Sequence, residues 1–404
     1  MSKKIPVEQL TPGMYIADLG AGWMDHPFLR SSFAVSDEAT VAKIIGCGLR
    51  EVYIDPSRGL DVAGAPTKVE VDEKLDKEME RIAEEEPAPI RKVSYQEEAG
   101  RAKEVHTQAN VIIHGMLQDV RLGKQVKVEQ VEPVVAQITE SILRNGGALL
   151  SLCRIKDKDN YTFQHSVSVG TLLIAFCRAM DMSAEEIRLA GVGGLLHDIG
   201  KMKVPDDILN SPNKLSDDEF RTMKDHVTQS KLILDKTDGV SLASIQVAYQ
   251  HHERHDGTGY PNGLKGDGIS QLGKMAAIVD VYDAITADRC YHKGLPAHEA
   301  LRKLFEWSKF HFDPLLVQHF MRAVGIYPVG TLVMLESGRI GLVMEQTEGN
   351  LLQPVIRVFF DSRGKLYITP REVDLSKPEG HGGADKIVSS ETPEKWGIDV
   401  SKFM

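Results

Sequence analysis

Three imidazoles fall within five residues of "HHERHDGTGYP" (251–261), in a chain that holds only 14 histidines among 404 residues. Neutral imidazole is a strong ligand for divalent cations. The adjacent pair His251 and His252, followed by a Gly-rich turn closed by Tyr260, has the form of two ligands beside a shaped rim. A second stretch, "HDIGKMK" (197–203), sets His197 and Asp198 at the end of the apolar run "IRLAGVGGLL". A His–Asp pair buried there is costly unless something satisfies both polar groups. Lys201 follows His197 by one helical turn, so both can point into one cavity. Single polar residues interrupt other apolar runs: His165 in "YTFQHSVSVGTLLIAF", His226 in "MKDHVTQSKLIL", and Asp280 with Asp283 in "AAIVDVYDAITADR".

His165, His197, His226, His251 and Asp280 follow one another at intervals of 25 to 32 residues. Each interval fits one helix plus a connection, so a bundle can gather one ligand per helix in a single place. Five His and two Asp (Asp198, Asp280) without Cys make a nitrogen and oxygen donor field. Seven ligands exceed what one ion with an open position needs. They suit two ions that share a carboxylate, with Asp198 the candidate bridge. Taken alone, His226 would read as an ordinary surface or core residue, but the HD and HH motifs at helical intervals set that reading aside. His255 lies beyond the pair and reads as ordinary. His292, His298, His311 and His319 fit no interval and are expected at the surface.

The elements that must carry these residues begin near Tyr95. Val105, Ala109, Ile112, Met116 and Val120 recur at helical spacing, as do Val131, Val134, Val135, Ile138 and Ile142. Helical patterning persists to about residue 325 and predicts an all-α central domain. "GVGG" (191–194) lacks both the spacing and the preceding strand of a dinucleotide motif and reads as helix packing. Before this region, "GMYIADL" (13–19) and "LREVYID" (49–55) read as strands. "SDEATVAKIIGCG" (36–48) reads as a helix opened by Ser36 and closed by Gly48. After Gly325, "GTLVML", "IGLVMEQ" and "PVIRVFF" are strand-like, with turns at "ESG" and "DSRG", and the last 25 residues read as irregular.

The expected organisation is a small α+β domain (1–60), a charged and Pro-containing linker or solvated helix (61–97) and connecting helices (98–150). A metal-binding helical domain (151–325) and a strand-rich extension with tail (326–404) complete it. Helices 98–145 are the candidate homodimer surface, and the N-terminal domain is the candidate receiver of a signal or a signalling partner. A net charge of −10 leaves no basic footprint for duplex nucleic acid. Four scattered cysteines without a CxxC pair read as reduced thiols. No run of 18 apolar residues and no signal-peptide pattern occur, which points to a cytoplasmic protein without a membrane span.

"HDIGK" (197–201), "HHERHDGTGYP" (251–261), "DVYDAITADRCY" (280–291) and "ILNSPNKLSDDEFRTMKDH" (208–226) closely resemble the HD-GYP phosphodiesterases, a branch of the HD metal-dependent phosphohydrolases. The resemblance covers roughly 155–325; residues 1–55 resemble, more weakly, a small domain often fused to that family. It implies a mainly α protein: an all-α HD-type bundle, an α+β N-terminal domain and a short strand-rich extension. It implies hydrolysis of cyclic di-GMP to pGpG, and onward to GMP, by a hydroxide shared between two divalent ions. Iron stands ahead of manganese, cobalt, nickel or zinc. His165, His197, Asp198, His226, His251, His252 and Asp280 become the metal ligands, with Asp198 bridging. Lys201 and Arg289 become phosphate contacts, Tyr260 the tyrosine of the GYP motif, and Asp283 the residue that orients a ligand or the water. Where some members carry a third-metal glutamate, this chain has Tyr161, so two ions are expected. His292 stands near a position that is often a polar substrate contact. The alternative is a catalytically weak or inactive member that binds cyclic di-GMP or a protein as a sensor.

Overall fold

The structure, a computed structural model, describes residues 1–20, 28, 32–84, 93–153, 161–211, 215–287, 294–347, 350–377 and 385–403. The chain divides into two compact units, one of residues 1–78 with 204–224 and one of 79–203 with 225–404.

The first unit is built on a four-stranded antiparallel sheet in the order β1-β4-β2-β3, from β1 (Lys3–Pro6), β2 (Tyr15–Asp18), β3 (Phe33–Ala34) and β4 (Glu51–Ile54). The helix α1 (Glu38–Gly46) buries Val41 and Ile44 in a core that includes Ile5, Ile16, Val52 and Ile54. Asp37, not Ser36, opens α1, because its carboxylate accepts from the Thr40 amide at 2.7 Å. Gly48 closes it at φ 76, the left-handed conformation that glycine adopts without strain. The short helices α7 (Asp206–Leu209) and α8 (Asp217–Lys224) also belong to this unit. The 61–97 stretch contains a 17-residue helix, α2 (Lys68–Glu84), which bridges the two units in sequence. Leu75, Met79 and Ile82 lie buried at i, i+4, i+7, a stripe hidden among charges in the sequence.

The second unit is the helical bundle. Its helices are α3 (Tyr95–Arg121), α4 (Val128–Cys153), α5 (Tyr161–Ala179), α6 (Ala184–Leu196), α9 (His226–Leu234), α10 (Leu242–Gln250), α11 (Gln271–Thr286), α12 (Ala297–Trp307) and α13 (Pro314–Val324). The stripe expected on α4 is buried throughout, with Val131 to Ile142 no more than 2% exposed. The stripe expected on α3 is buried at Ala109, Met116 and Val120 and half-buried at Val105. Ile113 and Leu117 join Ala109 and Met116 inside, while Ile112 is half-buried. The border expected after residue 150 falls inside α4. The "GVGG" glycines are packing positions: a Cβ at Gly194 would stand 2.8 Å from Gly170 Cα, and one at Gly193 would stand 2.7 Å from Val247 Cβ. The backbones of α5, α6 and α10 therefore meet closely near His165, His197 and His251.

α3 and α4 are tied by Glu98, fully buried, whose carboxylate accepts from Ser141 Oγ at 2.8 Å and from Arg144 Nε and Nη2 at 2.7 and 2.9 Å. Burial opposes its charge, but the Arg144 and Ser141 bonds outweigh burial and hold Glu98 below the ordinary carboxylate range. Glu98→Ala is expected to destabilise the unit by about 3 kcal/mol in urea unfolding at neutral pH. The difference from the parent should shrink as the pH falls through the depressed Glu98 value, where the parent loses the same bond.

The unit ends in a five-stranded antiparallel sheet in the order β8-β7-β6-β5-β9, from β5 (Leu332–Leu335), β6 (Arg339–Thr347), β7 (Asn350–Asp361), β8 (Leu366–Asp374) and β9 (Ile387–Ser390). The three strand-like segments after Gly325 are β5 to β7. β8 escaped the sequence reading because "LYITPREVD" is an edge strand with little buried alternation and a proline inside it. β9 and the single turn α14 (Pro393–Trp396) correct the expectation that the last 25 residues are irregular. β9 is only four residues long, which is too short for a periodic signal.

Candidate metal centre

Helix ends and one helix face bring the expected ligands together within the second unit. His165 lies in the first turns of α5, His197 and Asp198 directly follow α6, and His226 opens α9. His251 and His252 directly follow α10, and Asp280 and Asp283 lie one turn apart on α11. Every one of these side chains is buried except His252, which is nearly so.

Asp198 is at the middle. Its Oδ2 stands 3.2 Å from His197 Nε2 and 3.5 Å from His165 Nε2. Its Oδ1 stands 3.2 Å from His226 Nε2 and 3.8 Å from His251 Nε2. Asp280 Oδ1 completes the first group, 2.9 Å from His165 Nε2 and 3.6 Å from His197 Nε2. In the second group His226 and His251 bring their Nε2 atoms to 3.5 Å, and His252 joins them with ligand atoms within 4.8 Å. One carboxylate thus faces two imidazole clusters, one oxygen to each.

The rings are aimed by hydrogen bonds on their far sides. His197 Nδ1 donates to Gly194 O at 2.8 Å, and His251 Nδ1 donates to Ala248 O at 2.9 Å. His165 Nδ1 donates to Asp283 Oδ2 at 2.6 Å. Each bond fixes the tautomer that leaves Nε2 pointing inward. Asp283→Asn is expected to weaken metal binding about 10- to 100-fold, read by competition with a chromophoric chelator.

The residues fit a metal on two counts. His197 Nε2, Asp198 Oδ1 and His252 Nε2 are buried with no hydrogen-bond partner among the described residues, a costly state for polar atoms unless a cation satisfies them. The electrostatics agree. Burial pushes His251 down to about 3, helped by the charge of His197, and burial with His251 beside it holds His252 well below the usual imidazole range. Burial works against charge on Asp198 and Asp280, yet His197 and Lys201 beside Asp198, and His165 and His197 beside Asp280, hold both carboxyls ionised. Neutral imidazoles and ionised carboxylates are the ligating forms. Burial also disfavours charge on His197, but Asp198 and then Asp280 override it and raise that ring to about 10. Two buried carboxylates demand positive charge at this spot.

Lys201 returns over Asp198 on the 3-10 turn Ile199–Lys203 and pairs through Nζ with Asp198 Oδ2. It is 12% exposed, which puts a cation at the mouth of the centre. Gly200 lets this turn pass against α9, since a Cβ there would stand 2.0 Å from His226 O. Tyr260 stacks on His252 with centroids 4.7 Å apart, and its amide donates to His252 O at 3.1 Å. Arg289 and His292 lie outside the described residues, as does the side chain of Tyr161.

Three supports went unread in the sequence. Glu253, 2% exposed, accepts from the Asn262 and Leu264 amides at 2.8 and 2.9 Å and so holds the Gly-rich turn. Gln250 Oε1 accepts from Ser270 N and Oγ, which joins the end of α10 to the start of α11. Ser230 Oγ accepts from Gly200 N and donates to His197 O, which joins the HD turn to α9. The signal for Glu253 was its place beside the His pair; polar residues such as Gln250 and Ser230 carry none. His298 and His311 correct the surface expectation: both are 8% exposed, and His298 stacks on Tyr327 and bonds Ile326 O. Their apolar neighbours on amphipathic α12 and beside Phe312 hide them. His255 and His319 are half-buried.

A helical bundle that gathers five His and two Asp into one buried cluster able to hold metal is the arrangement expected of an HD domain. The HD-domain family pattern matches residues 154–316, a domain of unknown function (DUF3391) matches 2–131, and a KOW domain associated with HD domain matches 332–380. The cyclic di-GMP phosphodiesterase PA4108 of Pseudomonas aeruginosa is 43% identical over 98% of this chain and 94% of its own length. A cyclic di-GMP phosphodiesterase of Thermotoga maritima is 36% identical over 41% of this chain and 45% of its own length. The 3'3'-cGAMP-specific phosphodiesterase 1 of Vibrio cholerae is 35% identical over 38% of this chain and 36% of its own length. The chain belongs to the HD-GYP phosphodiesterase family. No described helix is long and apolar enough to cross a membrane.

Proposed function

We propose that the protein hydrolyses cyclic di-GMP to linear pGpG, with a second cut to GMP, at a centre for two divalent cations. The observation that carries this is the Asp198 carboxylate, with Oδ2 toward His165 and His197 and Oδ1 toward His226 and His251. His165, His197 and Asp280 with Oδ2 would hold one ion, and His226, His251 and His252 with Oδ1 the other. Nitrogen and oxygen donors without thiolate suit iron, manganese, cobalt, nickel or zinc, and the family resemblance puts iron first. Such a pair supplies Lewis acidity at a phosphoryl oxygen and a nucleophile at neutral pH.

The chain's own side chains do the rest. Asp283, Gly194 and Ala248 hold the imidazoles of His165, His197 and His251 in one orientation, so the site is set before substrate arrives. Lys201, paired with Asp198, would offset negative charge that develops on the phosphoryl oxygens and is the candidate donor of a proton to the departing 3′-oxygen. Arg289 supplies a second cation to the phosphate. Tyr260, half-buried on His252, forms the wall on which the nucleotide rests. Every ligand position is filled, which supports turnover over a purely sensing role.

The relative full-length match supports cyclic di-GMP as substrate. Similarity to a 3'3'-cGAMP-specific enzyme makes that dinucleotide the second reading. The test is turnover of both dinucleotides by anaerobically purified protein with its metal content measured alongside. Faster cleavage of cyclic di-GMP is the expected result. Preference for 3'3'-cGAMP would replace the substrate, and tight binding without cleavage in metal-replete protein would make the chain a sensor.

A further inference from the structure

The imidazoles of His165, His197 and His251 are each aimed by a hydrogen bond at Nδ1. His252 is held differently. Its Nδ1 stands 3.8 Å from Asp280 Oδ2, beyond bonding distance, and its Nε2 is buried with no partner among the described residues. A ring without such a bond keeps its orientation through packing alone, and a ligand that loses its orientation loses affinity for a cation.

The packing that sets the plane of His252 comes from Tyr260. The two rings stack with centroids 4.7 Å apart and planes 27° apart, within the range of favourable aromatic pairs. The other rings around His252 meet it at steeper angles, His251 at 44° and His226 at 87°. Tyr260 is the ring that lies most nearly parallel to it.

Tyr260 is in turn fastened by the turn that carries it. Its amide donates to His252 O at 3.1 Å, and a Cβ at Gly259 would stand 2.6 Å from that same oxygen. Before Tyr260, Asp256 Oδ1 accepts from Thr258 N and Oγ1 at 3.0 and 2.7 Å. After it, Glu253 accepts from the Asn262 and Leu264 amides, and Tyr249 Oη donates to Asn262 Oδ1 at 3.2 Å. These anchors all lie within 249–256, the segment that carries His251 and His252. The turn and the histidine pair are thus held as one piece.

We propose that Tyr260 is a positioning residue for the cation among His226, His251 and His252: its ring fixes the plane of His252, and Glu253 fixes Tyr260 by holding the turn. Burial alone would be served by any apolar side chain of similar bulk, whereas orientation needs a flat one. The proposal rests on the two-cation reading above and is separate from the contact of Tyr260 with the nucleotide.

Manganese binding to the full-length protein tests it, read by competition with a chromophoric chelator and by anomalous peak heights in crystals at limiting manganese. Tyr260→Leu keeps the bulk without the ring. In that variant the ion among His226, His251 and His252 should bind about tenfold more weakly, and the ion among His165, His197 and Asp280 should be unchanged. Tyr260→Phe, which keeps the ring, should bind both ions as the parent does. Glu253→Gln, which meets two amides with one acceptor oxygen, should loosen the same ion. It carries the test if Tyr260→Leu does not keep the parent's thermal midpoint. Parental affinity at both positions, equal weakening at both, or Tyr260→Phe as weak as Tyr260→Leu would overturn the proposal alone. Fewer than two ions on the parent itself would end the two-cation reading, and the proposal with it.

Discussion

Asp198→Ala is expected to leave the protein folded, to lower its metal content and to reduce cyclic di-GMP hydrolysis by far more than about 100-fold. That figure is the upper range for removing a partner of a metal ligand, and Asp198 is argued to be a ligand to both ions. The geometry makes the loss double. Deleting one carboxylate removes the oxygen 3.2 Å from His197 and the oxygen 3.2 Å from His226 together. It also leaves His165, His197, His226 and His251 crowded without the anion that gathers them. A variant at Asp280 removes an oxygen from the first cluster only, so it should retain more metal than Asp198→Ala. Elemental analysis beside single-turnover kinetics reads both quantities.

Lys201→Met is expected to lower kcat roughly 100- to 1,000-fold, the effect of removing one preorganised charge from a developing anion. Its metal content should stay near that of the parent, because Lys201 is bonded to Asp198 but supplies no lone pair of its own while charged. The split separates Lys201 from the ligands: they should lose metal and rate together, and Lys201 should lose rate alone. Partial recovery in Lys201→Arg, which keeps the charge with a different shape, would mark the role as electrostatic.

The ligand set was legible because it breaks a rule that the rest of the chain obeys. His165, His197 and Asp280 sit where apolar periodicity calls for Leu or Val, and the 25- to 32-residue spacing ties each break to a separate helix. The helical class of this region was legible through apolar periodicity, as in the buried stripe of α4. What supports the ligands was not. Glu253 and Gln250 act on backbone amides up to 20 residues away, and such bonds leave no periodicity in sequence. His298 and His311 show the converse failure, for position outside the ligand intervals says nothing of burial. On α3 the expected stripe took Ile112 where Ile113 is the buried residue, because both are apolar and only packing chooses between them.

The most direct measurement is anomalous diffraction from crystals of the metal-loaded protein, collected on both sides of the absorption edge of the bound metal. Two peaks are expected, one beside Asp198 Oδ2 among His165, His197 and Asp280, and one beside Oδ1 among His226, His251 and His252. A single peak, or peaks held by side chains outside this set, would contradict the shared-carboxylate centre.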